Sequence, residues 1–164
     1  MKNTSRPVSR EQHRKLGASL YNHTWSLMEK KKRSKEEDAE MIRAAHASRL
    51  HWGLAGGSPQ NFAISEWQIS RVYSHLKMPE SAVFHAKRSL EIVKTKRHRF
   101  ADFLLPSVYE GLARAYVSAG DKHSARRYHT LATRLAKTIK DPADRKLIQE
   151  QIASVPINQK RPGT

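Results

Sequence analysis

The chain has 164 residues, 38% apolar and 28% charged, with no cysteine and a formal charge of +16 from 31 basic and 15 acidic side chains. That length fits one domain or one repeat array with a core of its own. Missing cysteine excludes disulfides and thiolate metal sites, no apolar run reaches the roughly 20 residues of a membrane span, and the polar start Met1 to Arg14 has no signal-like apolar segment, so the expectation is a cytoplasmic protein.

The charge is uneven. Residues 1–35 carry ten basic and two acidic groups, 36–70 two and five, 71–99 eight and two. A field of this sign draws polyanions such as nucleic acid, anionic lipid or an acidic protein. A solvated helical surface that happens to be basic is the plainer reading of the same number.

In chain order, residues 1–8 read as a flexible arm. Ser9 with Gln12 is a capping box opening a first helix to about Lys31, with Leu16, Leu20, Tyr21, Trp25 and Met28 on its buried face. The basic run Lys30, Lys31, Lys32, Arg33 follows, where a cation near a helix C-terminus has a structural use. Ser34 and Glu37 form a second box, and Glu36, Glu37, Asp38 and Glu40 put acid where the dipole favours it. That helix runs to about Leu54. Gly56 to Pro59 end it and start the third, with Ser58 as cap and Pro59 at the first position.

The third helix spans about Pro59 to Lys77 with Phe62, Ile69, Val72, Tyr73 and Leu76 inside, and Pro79 opens the fourth. Lys94, Lys96, Arg97 and Arg99 make a basic connector. A fifth helix is expected from near Asp102 with Pro106 in its first turn. Gly120 ends it, Asp121 caps a sixth that runs to Ile139, and Asp141-Pro142 start a short seventh ending near Ser154. Residues 155–164 read as a disordered tail. The organisation is thus all-α, about seven helices, paired as 9–54, 59–97 and 102–139, with 142–154 as a capping helix.

Two of these pairs repeat. At an offset of 43, Ile69 meets Leu112, Arg71 meets Arg114, Tyr73 meets Tyr116 and Ala82 meets Ala125. A period of this size marks stacked helix pairs, none of which buries its apolar face alone. Leu112, Tyr116, Gly120, Asp121, Ala125 and Ala132 follow an order that resembles the tetratricopeptide repeat. The earlier copy departs from it, with Lys77-Met78 where Gly-Asp is usual. The stretches AAHASRLHW and EWQISRVY are also similar to segments of small uncharacterised bacterial proteins of tetratricopeptide-like organisation. The resemblance implies a right-handed superhelix of antiparallel helix pairs. It also implies a concave groove lined by the first helix of each pair, exposing Ile64, Trp67, Arg71, His75, Glu110, Arg114 and Val117.

Arginine forks bind carboxylate or phosphate at two points, and Trp67 would supply a rigid surface beside them. The alternative is that Arg71 and Arg114 pair with Glu66 or Glu110 inside the fold. Glu66 stands on an inner stripe where the later copy has Tyr109. A carboxylate there needs a partner, and His46, Arg49 and Arg71 are the candidates. His46 and His51 are five apart and do not share a face. His75 and His85 lie on successive helices and could converge. No zinc motif, phosphate loop or nucleophile elbow is present, so no metal, cofactor or catalytic residue is expected.

The reading from sequence is a non-enzymatic helical-repeat adaptor for an acidic protein or peptide, or for its own copy. The rival is a nucleic-acid-binding protein using the basic runs, which lacks a reading module and stacking aromatics.

Overall fold

The computed structural model describes residues 7–95 and 99–157. Among these the chain forms seven α-helices and no strand: α1 (Arg10–Met28), α2 (Lys35–Leu54), α3 (Pro59–His75), α4 (Pro79–Lys94), α5 (Leu104–Ser118), α6 (Lys122–Ala136) and α7 (Pro142–Ala153). Both expected capping boxes form, Ser9 with Gln12 and Ser34 with Glu37. A third, Ser58 with Asn61, starts α3 ahead of Pro59. Each satisfies orphan amides of a first turn.

Short turns make neighbouring helices antiparallel, and α1 packs most closely on α2, α3 on α4, and α5 on α6. The two later pairs share their turn geometry. At Lys77 the chain takes φ +57 and Met78 N–H donates to Tyr73 O at 2.9 Å; at Gly120 φ is +77 and Asp121 N–H donates to Tyr116 O at 3.0 Å. The 43-residue offset is therefore a repeat of backbone shape. Lys77 holds, with a side chain, the left-handed position that glycine fills in the later copy.

Ala82, Ala86 and Ala63 let α4 approach α3, and Leu90, Leu104, Val108, Leu112 and Ala115 carry that core into α5. A second core joins α1, α2 and α3 through Leu27, Met28, Met41, Ala45, Ile69 and Val72. Ile148 and Ile152 of α7 cover Ala132, Ala136 and Ile139, as a capping helix does.

Several expected boundaries shift. Leu16 is 42% exposed, because the buried stripe of α1 runs through Gly17 instead. An added Cβ at Gly17 would lie 3.2 Å from the Trp52 ring, so this glycine marks where α2 presses closest. Asp102 does not cap α5, which starts at Leu104 after Phe103; its carboxylate accepts the Lys140 N–H at 2.9 Å and ties the α6–α7 turn to the start of α5. α1 stops at Met28 and α6 at Ala136, with Ile139 buried in the turn beyond. The chain past Ser154 stays against the protein at Val155, 5% exposed, so the expected tail begins too early at 155. Residues 1–6 of the expected arm, Lys96 and Arg97 of the connector, and 158–164 lie outside the described residues.

Candidate functional site

The arginines of α3 and α5 meet on one carboxylate. Glu110 is fully buried on α5; Arg71 donates to it at 3.0 Å, Arg114 Nε at 2.8 Å with Nη2 ion-paired at 2.6 Å, and the Trp67 indole N–H at 3.2 Å. Trp67 and Glu110 occupy equivalent positions of the two copies. The stacking of α3 beside α5 thus brings one position of the repeat against its own counterpart. Gly111 makes room: a Cβ there would lie 2.5 Å from Trp67 Cδ1.

This overturns the expectation of an exposed Trp67 and Glu110 lining a groove. Trp67 is 6% exposed, and the arginines pair within the fold. They differ in what remains free. Arg114 also donates to Gln151 O and Ser154 Oγ, pinning the end of α7. Arg71 makes a single hydrogen bond, to Glu110, while its guanidinium lies over the rings of Trp25 at 5.2 Å and Trp67 at 5.7 Å. Burial and Arg114 draw its pKa down against the pull of Glu110, yet a guanidinium stays charged.

Beside this knot, the C-terminal ends of α1, α3 and α5 surround a cleft of about 810 Å³. Its wall includes Arg71, His75, Lys77 and Arg114 with Glu29 as the acidic member, and also Val117. His75 is exposed, as expected. Its pKa is lowered by desolvation and then by Arg33, Arg71 and Arg114, against Asp38, so cations dominate the side-chain field there. Ser74 Oγ and Ser118 Oγ, both in the wall, are buried without a hydrogen-bond partner. Three helix C-termini would subtract about half a charge each. Their carbonyls are taken up locally: Arg33 donates to Leu27 O, Met28 O and Lys30 O, and the turn amides of Met78 and Asp121 bond back into α3 and α5.

Ile64 is half-buried and belongs elsewhere, in a second cavity of about 340 Å³ between α1, α3, α5 and α7. Trp25 lines both cavities.

Glu66 forms a separate network on the side of α3 that faces α2 and α4. It accepts from Arg49 at 3.3 Å and pairs with His85 Nδ1 at 2.7 Å. Burial would raise its pKa, but the hydrogen bond and charge of His85, with Arg49 and Arg88, hold it below the usual carboxylate range. Of the three expected partners only Arg49 touches it; Arg71 turns to Glu110, and His46 bonds the Tyr73 hydroxyl at 3.0 Å. His46 joins the network through His85, 5.3 Å away edge to face, and Tyr73 stacks on His85 at 5.6 Å. His85 was missed because only three-dimensional packing puts α4 on this side of Glu66. Neither large cavity is lined by Glu66, His46 or His85.

The other histidines sort similarly. His75 faces the cleft while His85 faces Glu66, so the two do not converge. His51 pairs with His13 across α1 and α2, ring nitrogens 2.8 Å apart. No group of three or more potential metal ligands comes together among the described residues.

The basic runs are partly structural. Lys30 pairs with Glu37, and Arg33 pairs with Asp38 at 2.7 Å besides closing α1. Lys31, Lys32, Lys94 and Arg99 are exposed. The first two follow the end of α1; the others lie at and beyond the end of α4, an odd number of antiparallel passes later. They therefore stand at opposite ends of the stack, separated by about 25 Å, the length of a 17-residue helix such as α3. No helix among the described residues is long and apolar enough to cross a membrane. No protein-family model, curated protein or solved structure matches the chain.

Proposed function

We propose that this chain is a non-enzymatic adaptor, a tetratricopeptide-like right-handed stack of helix pairs that holds an acidic protein or peptide segment in the cleft at the ends of α1, α3 and α5. The observation carrying this reading is the cleft wall itself. Arg71, His75 and Lys77 line it with hydrogen-bonding capacity left over. A carboxylate accepts from Arg71 and Lys77. The order of helix packing and the repeated turn support the superhelical reading.

The segment is proposed to bind at the exposed rim, leaving the Glu110 knot intact as the floor. Arg71 and Arg114 are unsuitable test positions, because losing either breaks that knot. Lys77→Gly is the clean probe: glycine is the residue of the equivalent turn, so the change removes a charge and relieves a left-handed backbone. A fluorescein-labelled peptide of alternating Glu and Gly is expected to bind in a salt-dependent manner and to lose at least threefold in affinity with Lys77→Gly. Equal affinity for the two proteins would remove the cleft as the site.

The alternative partner, nucleic acid, draws on the exposed Lys31, Lys32, Lys94 and Arg99. Their placement at opposite ends of the stack favours the cleft over one continuous phosphate track. A mobility shift with double-stranded DNA at 150 mM salt, persisting in Lys77→Gly, would favour that reading instead.

A further inference from the structure

His75 is the one residue in the cleft wall of a type that changes charge near neutrality. It stands in the last turn of α3, exposed, and makes no hydrogen bond or ion pair among the described residues. Nearly every element around it brings charge. Glu29 caps the end of α1 and Arg33 follows in the turn; α2 supplies Asp38; α3 itself supplies Arg71, with Lys77 just past its end; α5 supplies Arg114. The segment after α7 adds only the uncharged Pro156.

These charges are mostly taken up by one another. Arg33 pairs with Asp38 at 2.7 Å, and Arg71 and Arg114 share Glu110 beneath the wall. With Glu29 and Lys77 included, four cations stand against three carboxylates, an excess of one positive charge while His75 is neutral. In the free chain, desolvation and the three arginines hold the imidazole below its ordinary value of about 6.5, against the pull of Asp38. A segment carrying several carboxylates reverses that balance. Its first carboxylate neutralises the excess, and each further one makes the field at His75 negative, which favours the imidazolium.

We propose that an acidic segment entering the cleft brings a proton with it, taken up on the imidazole of His75, so that the segment is held more tightly as pH falls through neutrality. The inference rests on the acidic-segment reading of the cleft and adds its regulation. Its sign follows from linkage. Between the free and the bound pKa of His75 the complex holds more protons than the free chain, so affinity climbs as pH falls through that window and levels off below it. The segment's own carboxylates, which ionise at about 4.3, stay charged above it.

The test is isothermal titration calorimetry of the full chain with an unlabelled peptide of alternating Glu and Gly, at fixed ionic strength, from pH 8 to 5.5. The dissociation constant is expected to fall about three- to tenfold over that range, the size of a pKa rise of up to about one unit. At pH 6.5 the binding enthalpy in buffers of different ionisation enthalpy should report net proton uptake. His75→Gln should lose both the pH dependence and the uptake. His13→Gln should keep both, since His13 lies ~22 Å along α1 from Met28 of the cleft wall. In the parent chain, the His75 Cε1–H resonance, assigned by its absence in His75→Gln, should titrate at higher pH with the peptide bound than without it; this readout stands even where the variant binds poorly. Saturable binding with a flat pH profile, a profile undiminished in His75→Gln, or an unmoved His75 titration would overturn the inference and leave the acidic-segment reading in place. No saturable binding at any pH would overturn both.

Discussion

Glu110 and Glu66 are two buried carboxylates on successive helix pairs, and they solve the same problem in different ways. Glu110 is fully enclosed and held by two permanently charged guanidiniums and an indole N–H. Glu66 keeps a little exposure and is held by one arginine and one histidine. The first arrangement locks α3 to α5 and, through Arg114, to α7. The second ties α3 to α2 and α4 through one guanidinium and one imidazole. One buried carboxylate is thus held by permanent charge on two sides, and the other by permanent charge on one side only.

Breaking each joint should separate them. Glu110→Ala leaves two partly buried guanidiniums without their counter-charge and is expected to cost about 3 kcal/mol, read as a loss in urea-unfolding free energy; a loss below about 1 kcal/mol would show the knot to be ornamental. Gly111→Ala, which pushes a methyl into the Trp67 ring, should cost ~1–3 kcal/mol by overpacking. Gly53→Ala, whose new Cβ meets only Arg49 at 3.7 Å, should instead gain up to about 1 kcal/mol from helix propensity. Glu66→Gln keeps the shape but weakens two hydrogen bonds, and ~1–2 kcal/mol is expected. In that variant the Arg71–Glu110 bond should be untouched, since the two networks share no residue.

The smallest effect is the pH dependence. The folded pKa of His46 is depressed, by desolvation first and by the neighbouring His85 second, with Glu66 opposing. A histidine depressed in the fold contributes stability that is present above its unfolded pKa of about 6.5 and is lost as pH falls through the lower folded value. Glu66 is also depressed, so its contribution is present above about 4.3 and is lost only at more acid pH. Melting temperature should therefore begin to fall as pH drops below about 6.5, and His46→Gln should shrink that first step, leaving the part owed to His75, whose pKa burial also depresses; an unchanged slope would remove His46 as a source.

The helices and their caps were legible in the sequence because their signals are local: Ser9 with Gln12, Ser34 with Glu37, and Pro59 and Pro79 each mark a start without reference to the rest of the chain. The offset of 43 likewise announced stacked pairs. What it could not announce was their register. Periodicity places Phe62, Ile69, Val72 and Tyr73 on the inner stripe of α3 and says nothing of how α3 presses on α5, so Trp67 and Glu110 looked like groove positions. The signal was nonetheless present in Gly111, a glycine inside a helix beside the copy of a tryptophan position. His85 was hidden for a related reason, since α4 meets Glu66 only after the hairpin closes. Arg33 was readable as a basic run, and its use as the closing group of α1 follows from where the helix stops.

The central claim is that the cleft at the ends of α1, α3 and α5 receives an acidic segment. Fluorescence anisotropy of the labelled Glu-Gly peptide, measured with the parent chain and with Lys77→Gly at matched ionic strength, tests it most directly. Saturable binding that weakens at least threefold in the variant, while the variant melts at or above the parent temperature because its turn has gained a glycine, is the predicted result. Absent binding, or affinity equal in the two proteins, would contradict it.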